Sequence, residues 1–113
     1  GIAKAGSNLN TFGGGDALQW AFHPSQSLKY NNSVSGAYGS GSVNGTVYGV
    51  LLDISAGTLT YFKDGVSLGV AYSSLSGVFY PLLSAVINTD TGQGTARFAR
   101  ASWQYGLAEY AQW

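Results

Sequence analysis

The chain has 113 residues, and its 17 glycines, 14% aromatic residues and only 9% charged residues are typical of one all-β domain with short strands and tight turns. Five basic and five acidic side chains cancel, which argues against nucleic acid or an anionic membrane as the main partner. No run is long and apolar enough to span a bilayer, and the lack of cysteine excludes disulfides and cysteine-ligated zinc.

The first part of the chain contains two short strand candidates. These are Leu18–Phe22 and Leu28–Tyr30, which the turn-forming sequence His23-Pro24-Ser25 separates. The segment Asn31–Gly45 that follows is mostly serine, glycine, asparagine and valine, and it predicts a loop.

The middle of the chain predicts a meander of three antiparallel strands. The first, Thr46–Ile54, places Tyr48, Val50, Leu52 and Ile54 on one face. A turn at residues 55–57 leads into Thr58–Phe62. Lys63-Asp64-Gly65 then reverses the chain into Val66–Tyr72, because Asp-Gly supplies the positive φ angles of a tight hairpin turn.

The last part of the chain predicts two more strands. Tyr80–Ile87 is an apolar run with Pro81 near its start, where a strand tolerates a missing N–H. Thr95–Ala101 alternates, with Phe98 on one face and Arg97 on the other, as in a half-buried strand. A helical turn is expected only within Ala101–Trp113.

Residues 48–86 resemble the second half of a SPRY (B30.2-type) domain. The matching features, in order, are an apolar strand ending in Leu52-Asp53, a glycine turn, a strand ending in an aromatic residue, the Asp64-Gly65 turn, Leu-Gly-Val-Ala-Tyr at residues 68–72, and Tyr80-Pro81 before an apolar run. The resemblance implies an antiparallel β-sandwich of two sheets, SPRY- or concanavalin-like, whose loops bind peptides or protein surfaces.

Weaker similarity to the family extends upstream. Residues 1–5 are similar to a strand before a variable loop, Gly14-Gly15-Asp16 to a glycine-rich turn, and Trp20-Ala21-Phe22 to a Trp-Gly-aromatic strand. The family's usual opening strand, of the type Tyr-Phe-Glu-Val, has no counterpart before Gly1. We therefore expect residues 1–113 to be a single SPRY-like domain from a longer protein. Its missing strand would be supplied by residues 103–113, by a partner chain or by preceding residues.

Four sequence features could indicate catalysis or metal binding, and we interpret each as structural. Gly65–Gly69 matches the Gly-x-Ser-x-Gly nucleophile elbow, but Ser67 follows a hairpin turn rather than preceding a helix. His23, the only histidine, is expected in a surface turn. Asn88–Gly92 resembles the start of a calcium loop but lacks the acid at the twelfth position. Asp53 is expected to accept hydrogen bonds from the turn at residues 55–57.

The resemblance implies a ligand surface at two loops, one before the Gly14-Gly15-Asp16 turn and one after the Tyr-Pro strand. In this chain these loops contain Leu9, Asn10 and Thr11, and Ile87, Asn88 and Thr89. We predict a non-catalytic module that recognises a protein or peptide and uses no cofactor or metal. Two alternatives stay open: a structural or adhesion domain of a virion, phage tail or other large assembly, and a glycan-binding sandwich.

Overall fold

Two antiparallel sheets form the part of the chain that the computed structural model describes, residues 1–84 and 95–97. The larger sheet has the strand order β4-β3-β2-β1-β8 and the smaller sheet the order β5-β6-β7. The strands are β1 (Ile2–Ala3), β2 (Gln19–His23), β3 (Leu28–Asn31), β4 (Val34–Ala37), β5 (Tyr48–Asp53), β6 (Thr58–Lys63), β7 (Val66–Tyr72) and β8 (Tyr80–Pro81). This confirms the predicted all-β, two-sheet architecture.

The predicted meander is confirmed as β5, β6 and β7, whose ends differ from the prediction by a few residues at most. β6 pairs in register with β5, and its pairing with β7 contains a bulge between Leu59 and Phe62. In this strand order each pair of neighbours is joined by a short connection. Local turn chemistry was therefore enough to predict the smaller sheet.

The prediction of a loop throughout residues 31–45 is wrong, because β4 lies within it. Asn32 and Ser33 have φ angles of 53° and 62°, so they form a two-residue turn that brings Val34–Ala37 back alongside β3. β4 has no apolar alternation because it lies at the edge of the larger sheet, where neither face is covered well enough to require it.

The two strands predicted near the end of the chain are only partly described. β8 covers Tyr80–Pro81, and Leu82 adds one more main-chain bond, from its N–H to the carbonyl of Gly1 at 2.8 Å. Residues 82–84 are not in a strand, and neither are residues 95–97, so the prediction is wrong at those positions. The rest of both segments, and the helical turn expected within Ala101–Trp113, lie outside the described residues.

β1 is paired on both sides by other strands of the same chain. Ile2 pairs with Trp20 of β2 on one side and with Pro81 of β8 on the other. A partner strand therefore has no free edge to occupy beside β1. The alternative, in which residues 103–113 supply the family's missing strand, lies outside the described residues.

The core between the sheets is built around Phe22 of β2. Its ring centroid lies 5.3 Å from those of Tyr38 and Tyr61 and 5.6 Å from that of Tyr48, mostly in edge-to-face geometry. Such pairs add about 0.5–1.5 kcal/mol to the burial of the rings themselves. Leu59 of β6 is fully buried beside this cluster. The aromatic residues, abundant in the sequence, therefore join the two sheets.

Two tyrosines of the smaller sheet also reach the main chain of the larger sheet. Tyr72 donates its hydroxyl hydrogen to the carbonyl of Ala21 at 3.1 Å, and Tyr61 approaches the carbonyl of Trp20 at 3.5 Å. Because burial disfavours the charged phenolate, it raises the pKa of both tyrosines above their ordinary value.

These buried tyrosines predict a loss of stability in alkali. In the unfolded chain tyrosine ionises near pH 10, whereas in the folded protein both residues keep their protons to higher pH. Because the pKa is higher in the folded protein than in the unfolded chain, the buried neutral tyrosines contribute their full stabilisation below about pH 10. This contribution is lost as the pH rises towards the pKa of the folded protein. Urea denaturation in alkaline buffers should show the free energy of unfolding falling by up to about 1.4 kcal/mol per pH unit from the buried Tyr61, and by less from the half-buried Tyr72, whose charge solvent screens. The slope should be smaller in Tyr61→Phe, and an equal slope in that variant would contradict the prediction.

The Asp64-Gly65 hairpin turn is confirmed between β6 and β7. Asp64 and Gly65 have φ angles of 49° and 83°, and the Asp64 carboxylate accepts the N–H of Val47 at 2.9 Å. The Asp64 N–H in turn donates to the carbonyl of Val47 at 2.8 Å. The turn thus also holds the segment that leads into β5.

We expect Gly65→Val to destabilise the protein by about 1–3 kcal/mol, because a β-branched residue is strained at positive φ. Thermal and urea unfolding measure the loss. Val66→Thr, one position further along in β7 and exposed, is the control and should change stability little. An unchanged melting temperature in Gly65→Val would show that the turn is not under this constraint.

Candidate functional site

The loop between β1 and β2, residues 4–18, carries the predicted contact residues Leu9, Asn10 and Thr11, and a buried glutamine fixes its shape. Gln19, at the start of β2, is only 1% exposed. Its side-chain oxygen accepts the N–H of Gly14 at 3.0 Å, and its side-chain nitrogen donates to the carbonyl of Asn8 at 2.8 Å. The side-chain amide of Gln19 therefore bonds to two main-chain groups that belong to different parts of the loop.

Asp16 closes the same loop from the other end. One carboxylate oxygen accepts the N–H of Leu18 at 2.6 Å, and the other accepts the N–H of Asn8 at 3.3 Å. The main-chain carbonyl of Asp16 also accepts the N–H groups of Gln19 and Asn32. A short acid that bonds to nearby backbone N–H groups stabilises a turn, so the carboxylate serves the loop's structure.

Gly14 permits close approach of the loop to β3. Its φ is 89°, and a Cβ atom added there would lie 2.4 Å from the carbonyl oxygen of Tyr30. The Gly14 carbonyl accepts the N–H of Ser33 at 3.0 Å. Only glycine fits this position, since both the backbone angle and the contact exclude a side chain.

A ring cluster anchors Phe12 on the outer face of the larger sheet. Phe12 lies 5.4 Å from Tyr30 and 5.8 Å from His23, edge to face in both cases. The His23 Nε2 lies 2.7 Å from the carbonyl oxygen of Gly13, to which it donates, since a carbonyl can only accept. His23 ends β2 and is half-buried, so the expectation of a surface turn residue is wrong.

The root of the second predicted loop adjoins this anchored loop. Ser84, three positions before Ile87, accepts the N–H of Gly13 on its hydroxyl oxygen at 3.3 Å. Gly13 is two positions after Thr11. Leu9 is 74% exposed, Asn10 is exposed and Thr11 is half-buried. Ile87, Asn88 and Thr89 lie outside the described residues.

The described residues show no arrangement typical of a catalytic or metal centre. The Ser67 hydroxyl accepts the N–H of Gly69 at 3.1 Å within β7, a strand and not an elbow before a helix. In residues 1–84 and 95–97, no three His, Cys, Asp or Glu side chains are grouped as metal ligands. Asp53 accepts the Ala56 N–H at 2.9 Å and the Ser55 hydroxyl at 2.8 Å, which confirms its predicted structural role. The calcium-like sequence Asn88–Gly92 lies outside the described residues.

Comparison with known proteins agrees with this architecture. A model of the SPRY domain family matches residues 1–97. The chain belongs to the SPRY family. It is 27% identical over 111 residues to Ran-binding protein 9 of Xenopus laevis, a match that covers 97% of this chain and 20% of the relative. It is also 27% identical over 115 residues to Ran-binding protein 10 of Danio rerio, covering all of this chain and 19% of that relative.

This SPRY chain therefore corresponds to about a fifth of the length of these relatives. SPRY domains are typically non-catalytic modules that bind proteins. Within the described residues, no helix is long and apolar enough to cross a membrane.

Sequence reasoning missed three residues that shape the candidate site of this SPRY domain: Asp16 as a hydrogen-bonding residue, Gln19 and Ser84. Gln19 gave a usable signal, because it is a polar residue inside an otherwise apolar predicted strand and has to be paired if buried. Asp16 gave another, since it stands just before the predicted strand Leu18–Phe22, and a short acid in such a place commonly forms a turn with its own backbone. Ser84 gave none, since its partner, Gly13, is far away in the sequence.

We expect Gln19→Leu to destabilise the protein by about 2–4 kcal/mol, because each buried main-chain group left unpaired costs about 1–3 kcal/mol. Urea denaturation measures the loss, and amide exchange at Gly14 should become faster. Gln26→Leu is the matched control, since Gln26 is exposed and accepts one hydrogen bond, from the Tyr30 hydroxyl. Equal effects of the two substitutions would show that the buried amide does not hold the loop.

Proposed function

We propose that this SPRY domain is a non-catalytic module that recognises a protein or peptide through the loop containing Leu9, Asn10 and Thr11, together with Ile87, Asn88 and Thr89. The observation that carries the proposal is the hydrogen bond between Gly13 and Ser84. It joins the bases of the two loops on the outer side of the larger sheet. Two separate segments could thus form one contact surface.

The state of the first loop supports a role in recognition. Asn8, Gly14 and Leu18 are each held by a side chain at the base of the loop, so their main chain is ordered before any partner arrives. A loop that is already ordered loses little conformational entropy on binding. Leu9, by contrast, presents an apolar side chain to solvent, and an exposed apolar side chain on a rigid loop is a suitable anchor for a partner.

We also infer that the domain is not an enzyme. His23, the only histidine in the chain, uses Nε2 to hold the carbonyl of Gly13, and the Ser67 hydroxyl is bonded within its own strand. A serine nucleophile needs a neighbouring base that is itself oriented by a third group. The described residues offer no such group to Ser67.

The relatives bear on the partner and on the alternative functions. Ran-binding proteins 9 and 10 are named for binding Ran, and this chain corresponds to about a fifth of each. Ran is therefore one protein to test as a partner. Neither relative supports the alternative of a virion or phage-tail domain, and no contact among the described residues favours a glycan ligand.

The experiment compares two exposed apolar residues. We expect Leu9→Asp to weaken binding at least tenfold, whereas Val43→Asp should have little effect, because Val43 is 77% exposed but lies in the connection between β4 and β5. The probes are Ran and a phage-displayed library of random linear peptides, with affinities of selected peptides measured by calorimetry.

Both variants should keep the wild-type melting temperature, which would show that weaker binding is not caused by unfolding. The proposed site would be overturned if Ran and every peptide selected on the wild-type domain bound Leu9→Asp as tightly as the wild type. A selection that enriches no peptide, together with no binding of Ran, would count against the recognition function itself.

A further inference from the structure

In the part of the chain that the structure describes, the strand β4 forms an open edge of the larger sheet. Among the described residues β4 pairs with β3 on one side and with no strand on the other. The N–H of Tyr38, directly after β4, donates to the carbonyl of Ser27 at 2.9 Å. Hydrogen-bonded and non-hydrogen-bonded pairs alternate along an antiparallel ladder. The main chains of Val34 and Gly36 therefore bond to β3. Those of Ser35 and Ala37 point away from β3, towards the open edge.

This edge lacks the features that usually protect a sheet from pairing with another chain. Such features are proline, lysine, an inward-pointing charge or a bulge in the edge strand. β4 reads Val34-Ser35-Gly36-Ala37, has a regular register with β3 and contains none of them. Val34 is 70% exposed. Within residues 1–84 and 95–97, therefore, nothing prevents a further strand from pairing with this edge.

A groove of about 220 Å³ runs beside the same edge, between β3 and β4 of the larger sheet and β7 of the smaller. It is lined by Lys29, Asn31, Val34, Ser35, Gly36 and Tyr72. Gly36 has no side chain to fill the groove. A Cβ atom added at Gly36 would lie 3.6 Å from the Cε of Lys29, so the Lys29 side chain lies directly beside Gly36. A side chain of an added strand that lies on the face of Gly36 and Val34 would point into this groove.

Lys29 gives the groove its charge. Among the described lining residues it is the one basic or acidic side chain. Its side-chain nitrogen lies 5.0 Å from the ring centroid of Tyr72 and 5.8 Å from that of Tyr38. The same nitrogen donates one hydrogen bond to the carbonyl of Ala71. An ammonium group has three N–H donors. Donors beyond the one bonded to Ala71 are therefore left to pair with a carboxylate.

We propose that β4 binds an extended peptide segment of a partner protein as an additional strand of the larger sheet, and that an aspartate or glutamate of that segment enters the groove and pairs with Lys29. The main-chain groups of Ser35 and Ala37 supply the affinity common to all sequences, and Lys29 supplies the preference for an acid. This mode of recognition is strand addition with a side-chain pocket. It uses a different surface from the Leu9 loop and does not depend on that site.

The test selects a phage-displayed library of random linear peptides on the wild-type domain and removes every clone that also binds Ser35→Pro. Proline at position 35 deletes an N–H that faces the open edge and keeps the ladder to β3, a position at which edge strands tolerate it. Ser35→Ala keeps the N–H and is the matched control. We expect the remaining peptides to carry an acid flanked by β-branched or aromatic residues.

A selected peptide is then synthesised in two forms, with the acid and with its uncharged amide. The acid form should bind the wild-type domain and Ser35→Ala about tenfold more tightly than the amide form. Lys29→Gln should bind both forms equally, and Lys29→Arg should restore the preference for the acid. Val43→Thr, at an exposed position outside both proposed sites, should leave binding of the acid form unchanged.

Hydrogen exchange gives a readout on the unmodified domain. The amides of Ser35 and Ala37 should exchange at least tenfold more slowly with the acid peptide bound, while those of Gly36 and Val34, already in the ladder, change less. The proposal is overturned if no peptide survives the Ser35→Pro counter-selection, if Lys29→Gln keeps the preference for the acid, or if exchange at Ser35 is unaffected. Dimerisation of the domain through β4, abolished by Ser35→Pro, would also overturn it in favour of a second copy as the occupant.

Discussion

The contact between Phe22 of the larger sheet and Tyr61 of the smaller sheet is the interaction on which the rest of this domain depends. Each sheet has an apolar inner face that has to be covered, and the two strands that meet at the centre, β2 and β6, supply the rings that do so. The hydroxyl of Tyr61 reaches the main chain of β2. The same ring therefore contributes apolar area and a polar contact across the core.

β2 connects this core to the candidate recognition surface. Because side chains alternate along a strand, Trp20 and Phe22 face the smaller sheet while Gln19, Ala21 and His23 face the β1–β2 loop on the other side. The loop is thus held by the strand whose other face is fixed in the core. The proposed contact residue Leu9 therefore lies on a loop with a rigid support, and a rigid support favours binding with little change of the backbone.

Most of the charged residues that the structure describes make contacts inside the domain. Lys29 bonds to the carbonyl of Ala71, Lys63 to that of Gly41, and Lys4 lies 5.1 Å from the ring centroid of Phe79. Asp16 and Asp64 accept backbone N–H groups. With so many charges committed to loops and rings, the two proposed sites rely chiefly on apolar contacts and main-chain hydrogen bonds, and Lys29 is the charge that the β4 proposal uses.

The sequence by itself determined the features that depend on neighbouring residues. The Asp64-Gly65 turn, the β5-β6-β7 meander and the bonding of Asp53 to Ser55 and Ala56 all follow from local chemistry, since the groups that interact lie a few positions apart. The SPRY pattern could be recognised for the same reason, because it is a series of strand ends and turns. The choice of the Leu9 loop as a candidate contact surface came from that pattern.

Only the tertiary structure decided the features made by distant residues. β4 is a strand because its main chain pairs with that of β3. The sequence of residues 34–37 has no alternation of apolar and polar residues that would predict this pairing. The pairing of β1 with β8 and the bond from Gly13 to Ser84 join segments about 70–80 positions apart in the sequence, and the Lys29 groove forms where two sheets meet. Backbone hydrogen bonds have no sequence signature of their own, so such pairings are settled when the sheets pack.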